Sequence, residues 1–130
     1  MKKFVLLFSL TFLSVACSLL EPGNDENYIY NLRASAEKIK VVQNSNGVVK
    51  FKIVLGIPTP CYEFDKRKLT QSGDILYVEY FTKIRKDAVC IQIVSSITIE
   101  DTFTLEPQKE YLFKFRKSNG TYLDTLIFVK

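Results

Sequence analysis

From Val48 to Ile57 almost every second side chain is apolar. Val49, Phe51, Ile53, Leu55 and Ile57 fall on one side of an extended chain, while Lys50 and Lys52 fall on the other. A repeat of two gathers its apolar members on one face only in a strand, because a helix would scatter them around its axis. The pattern recurs along the chain. Between Asp74 and Ile84, Leu76, Val78 and Tyr80 oppose Tyr77, Glu79 and Phe81, so both faces are partly apolar and a central strand is expected. Val89, Ile91 and Ile93 run on to Ile97 and Ile99 across Ser95 and Ser96, which mark a bend or a change of sheet. Tyr111, Phe113 and Phe115 alternate with Lys114 and Arg116, and Tyr122 to Val129 ends the chain as a strongly apolar strand. Residues 28–36 leave two readings open, because Asn31 to Ala36 suits a short helical turn as well as extended chain.

Turn chemistry falls between these segments. Asn46-Gly47 and Asn119-Gly120 are pairs that two-residue hairpins prefer, since Gly takes positive φ without steric cost and Asn takes it cheaply. Ser72-Gly73-Asp74 and Lys86-Asp87 supply the other reversals. Six or seven strands at intervals of about 8–12 residues predict an all-β fold. The expected architecture is an immunoglobulin-like β-sandwich of about seven antiparallel strands over residues 28–130, with a small β-barrel as the alternative.

The start of the chain follows different rules. Lys2 and Lys3 precede an uncharged apolar stretch over 4–16 that ends on Ala16, the layout of a signal peptide. That stretch is shorter than the roughly 20 residues a spanning helix needs, so a permanent transmembrane anchor is not expected. Leu13-Ser14-Val15-Ala16-Cys17 resembles the lipobox of bacterial lipoproteins, although Ser14 stands where Leu is commonest. The resemblance implies cleavage after residue 16 and a covalent lipid on Cys17. A triacylated cysteine has more than the single chain that gives only marginal binding. By the same resemblance, Ser18 behind the cysteine favours the outer membrane. Pro22, Gly23 and three acidic side chains make 17–27 a tether.

With Cys17 given to lipid, Cys61 and Cys90 remain as an even pair in an exported chain, and a disulfide between them is expected. Pro58-Thr59-Pro60-Cys61, together with Val89-Cys90-Ile91-Gln92-Ile93, is similar to a pattern found in small secreted or lipidated bacterial domains of uncharacterised function. That resemblance implies an immunoglobulin-like sandwich with a disulfide and carries no catalytic residue. Pro58 and Pro60 withhold two backbone donors and stiffen the way into the next strand.

Composition points away from an enzyme. Histidine is absent, and no Gly-rich phosphate loop, Ser nucleophile motif or metal-ligand cluster occurs. Glu63 with Asp65, and Glu100 with Asp101, are carboxylate pairs of the kind that serves acid-base work, and exposed strand positions explain them. Lys66, Arg67 and Lys68, facing Lys83, Arg85 and Lys86 across a hairpin, form a candidate basic patch that also serves to blunt a strand edge. Removing Lys2 and Lys3 from the 18 basic side chains leaves 16 against 14 acidic ones, about +2, so nucleic acid is not an expected partner. The expected function is a non-enzymatic, lipid-anchored binding module of the bacterial envelope, with the membrane and another envelope protein as partners and no cofactor. A protease inhibitor presenting Pro58, Thr59 and Pro60 is the alternative.

Overall fold

The computed structural model describes residues 25–130. The leader over 1–16, Cys17 and most of the tether over 17–27 lie outside the described residues. Seven strands follow in order: β1 (Tyr28–Ser45), β2 (Val48–Ile57), β3 (Glu63–Ser72), β4 (Ile75–Arg85), β5 (Ser95–Thr104), β6 (Lys109–Arg116) and β7 (Tyr122–Val129). The fold is all-β, a single curled sheet closing on itself in the manner of a sandwich or half-barrel.

The long β1 makes the curl. Its first part pairs with β4 from Tyr28↔Arg85 to Ala34↔Tyr80, and its second part pairs with β2 from Ser35↔Gly56 to Ser45↔Val48. At the crossing, Ala34, Ser35 and Ala36 are all buried. Three successive buried positions mean that both faces of the strand are covered there, and only small side chains leave room for that. Asn31 takes φ 60° where the β1–β4 register slips between Ile29 and Leu32. Residues 28–36 therefore form a bulged strand rather than a helical turn, because each part of β1 has a neighbour to satisfy its backbone.

β5 extends the β2 side, while β3, β6 and β7 extend the β4 side, giving the order β5-β2-β1-β4-β6-β7 with β3 on β4. Phe51, Phe103, Phe113, Phe115 and Tyr80 fill the space between the two sides. Phe51 meets Phe103, Phe113 and Phe115 edge to face at centroid distances of 4.9–5.7 Å, geometry that aromatic quadrupoles favour.

Two strand expectations need correction. Five of the six pairings are antiparallel, but β4 and β6 run parallel from Ile75↔Leu112 to Val78↔Phe115. A parallel pair needs a long crossover, and β5 on the opposite side of the curl supplies it. The second concerns Val89 to Val94, which alternates like a strand but lies in no ladder. β5 starts at Ser95 because its partner β2 ends at Ile57, and Pro58 behind it has no N–H with which to extend the pairing.

The turns explain themselves locally. Asn46 (φ 52°) and Gly47 (φ 76°) form the two-residue hairpin expected of them. Gly73, at φ 60°, takes the first central position of the β3–β4 turn. Asn119-Gly120 instead sits in the five-residue connection 117–121. There the Gly120 N–H donates to Lys117 O at 3.2 Å and the Lys117 N–H to Thr121 O at 2.8 Å, with Gly120 at φ 83°.

The connections fall at two poles. At one, the Gly47 N–H donates to Lys130 O, the Leu105 N–H to Gly47 O and the Gln108 N–H to Val129 O, at 2.7–2.8 Å, so backbone bonds seal it. The other pole receives the chain from residue 25 and carries the β2–β3 and β4–β5 loops.

Candidate functional site

The second pole, here the N-terminal pole, is built from chain segments that leave the ladders. The β2–β3 loop, residues 58–62, begins where Pro58 stops β2; the β4–β5 loop, residues 86–94, begins at a turn in which the Ala88 N–H donates to Arg85 O at 3.2 Å. Cys61 and Cys90 join the two loops with Cα atoms 6.0 Å apart, the pairing expected of them. Nearby, the Lys86 N–H donates to Asn27 O at 2.8 Å and the Tyr28 N–H to Asp25 O at 3.1 Å, which holds the incoming chain against the same loops.

The chemistry of the β4–β5 loop is the unusual feature. Val89 is 99% exposed, Ile91 65%, Ile93 58% and Val94 83%. Single exposed aliphatic residues are ordinary, but four within six positions on one tied loop form a contiguous apolar projection. Val94 also borders a shallow cleft of about 230 Å³ with Ser35, Gly56, Pro58 and Ser118. Sequence reasoning missed this loop because its alternation imitates a strand, and only the stop that Pro58 imposes on β2 signals otherwise.

Of the expected interaction loop, Pro58 and Pro60 are exposed, whereas Thr59 is only 7% exposed and its Oγ1 has no hydrogen-bond partner. The middle of that loop is an inward anchor and does not project.

Lys66, Arg67 and Lys68 border one open cleft with Asn31 and Phe81, but their side chains engage different partners. Lys66, Arg67 and Lys68 follow one another along β3, so Arg67 points to the opposite face from its two neighbours. Lys66 lies over the Phe81 ring at 5.7 Å, Lys68 stands opposite Glu79, and Lys83 and Arg85 lie over Tyr28 at 4.7 and 5.9 Å. Arg67 turns inward, covers Phe103 at 4.5 Å and pairs with Asp101. Tyr80 Oη donates to the other oxygen of Asp101 at 2.8 Å. Burial first, and the Asp101 charge second, push the Tyr80 hydroxyl far above its ordinary value near 10, so it remains a donor. This trio fastens β3 and β4 to β5; in the sequence Asp101 stands beside Glu100 and gives no sign of it.

Of the carboxylate pairs, Glu100 and Asp101 separate. Glu100 faces Lys50 at 3.8 Å while Asp101 points to the other face, and Glu63 stands opposite Lys83. Among the described residues no group of three or more His, Cys, Asp or Glu side chains is placed to hold a metal ion. Among them, too, no helix is long and apolar enough to cross a membrane. No family model, curated protein or solved structure matches this chain.

Proposed function

We propose that this protein is a lipid-anchored, non-enzymatic binding module of the bacterial cell envelope, associating with other envelope components through the tied loops of its N-terminal pole and its open strand edges. The observation that carries the reading is the apolar projection of Val89, Ile91, Ile93 and Val94 on a loop clamped by Cys61–Cys90. Exposed aliphatic surface gains free energy when it is covered, and a covalent clamp lowers the ordering cost of covering it. The lipid on Cys17 and the preference for the outer membrane come from the leader sequence. Protease inhibition through Pro58, Thr59 and Pro60 has less support, because an inhibitory loop must project its central side chain and Thr59 is buried.

A photo-reactive amino acid placed at Ile91, and as a control at Asn46 on the sealed pole, tests the association in living cells. Adducts with an envelope component from position 91 and none from position 46 are expected. Equal yields from both positions, or none from 91, would contradict the reading; with the same residue placed at exposed Pro60, capture of a protease that the protein inhibits would favour the alternative.

A further inference from the structure

We infer that the Val89–Val94 loop is a second, shallow membrane contact that seats the N-terminal pole on the lipid surface; this names the occupant of one surface in the proposed function and rests on acylation of Cys17. The first support is where the chain leaves the fold. Asp25 and Asn27 are bonded to Tyr28 and Lys86 at the base of this loop. Eight peptide steps separate Cys17 from Asp25, a reach of at most about 28 Å. An acyl chain on Cys17 therefore holds this pole, and not the sealed one, beside the bilayer.

The second support is size. The four exposed aliphatic residues fall short of the roughly 800 Å² per partner that a standard protein interface covers. A small apolar contact suffices where the body is already tethered, because insertion is then effectively intramolecular.

Chemistry sets the depth and character of the contact. From Ala88 to Val94 the side chains carry no charge, and Gln92 is the one with hydrogen-bonding polar groups. Among the described residues, no backbone N–H of residues 89–94 donates to another backbone carbonyl. Unpaired backbone is not tolerated in hydrocarbon, so the loop belongs at the head-group boundary, within the outer roughly 5–10 Å where water still reaches it. Tyr28 and Tyr30, with ring centroids 6.0 Å apart, stand at the start of β1 near the same base, and tyrosine suits that boundary. At the base of the loop Lys83 stands opposite Glu63, and Arg85 pairs with Asp87 at 3.3 Å. The contact is therefore apolar in origin and does not require anionic lipid.

The test uses the full acylated chain reconstituted in phosphatidylcholine vesicles. A fluorophore is attached at Val94→Cys or, for comparison, at Asn46→Cys, and quenching by spin-labelled lipid is measured. Position 94 should be quenched several-fold more than position 46. Val89→Asp with Ile91→Asp should remove that difference while the chain stays on the vesicles; both side chains are exposed, so the core is untouched. A vesicle-bound chain whose position 94 is as open to aqueous quencher as position 46 overturns the loop contact alone. In native envelope membranes, shielding of position 94 from both quenchers would assign the loop to a protein and also overturn it. A chain that does not stay on the vesicles overturns the anchor and this contact with it.

Discussion

The Arg67 guanidinium on β3 pairs with the Asp101 carboxylate on β5, although these two strands share no backbone ladder. The pair closes the open side of the curled sheet over Phe103, with Tyr80 completing the carboxylate's partners. Removing one member leaves the other poorly solvated, since the Asp101 side chain is only 15% exposed. Arg67→Ala and Asp101→Ala should each lower the unfolding free energy by about 1–3 kcal/mol, less than for a fully buried pair. Urea titration of the two single variants and the double variant measures this. Strictly additive losses would mean that the pair does not couple the strands.

Tyr80 gives the fold a signature in alkali. Its hydroxyl is raised far above 10 in the folded chain, while in the unfolded chain it ionises near 10. Its contribution is therefore complete below pH 10 and is lost progressively as pH rises from there toward the folded value, at up to about 1.4 kcal/mol per pH unit. Relative to Tyr80→Phe, the native protein should lose stability more steeply between pH 10 and 11.5. Parallel slopes for the two proteins would refute this assignment.

Gly47 and Gly73 separate two costs of replacing glycine. Both have positive φ, but a Cβ on Gly47 would lie 2.7 Å from Leu105 O, while one on Gly73 meets nothing within 4 Å. Gly73→Ala should cost about 1 kcal/mol from backbone strain alone. Gly47→Ala adds a clash with the backbone that seals its pole and should cost clearly more by thermal unfolding. Equal losses would show that the sealed pole relaxes freely.

The Cys61–Cys90 bridge closes a loop with a sequence separation of 29. Converting both to Ser should lower stability by roughly 3–4 kcal/mol, mainly by freeing the unfolded chain. It should also make residues 86–94 the first site of proteolysis, because their ladder-free backbone then has only its ends held. Unchanged protease sensitivity at that loop would contradict the clamp.

Much of this architecture is legible in the sequence, for identifiable reasons. β2, β4 and β6 bury one face, or nearly two, and so write a period of two into their residues, while β7 shows itself by its apolar run. Asn46-Gly47 marks its hairpin through φ preference, and the Cys61–Cys90 pair follows once Cys17 is set aside. Strand direction leaves no trace in alternation, which hides the parallel β4–β6 pair. β3 is an edge strand, mostly exposed, and its polar residues carry almost no pattern. Val89 to Val94 misleads in the opposite sense: it has a strand's residues, but Pro58 ends the neighbouring strand that would pair with it. Arg67 and Asp101 lie 34 residues apart, so only the folded curl brings them together.

In the proposed function, Cys17 holds this module to an envelope membrane. Metabolic labelling with palmitate, comparing the native chain with Cys17→Ala, tests it most directly. The native chain should incorporate label and the variant none; equal labelling of the two, or no label in the native chain, would contradict the claim.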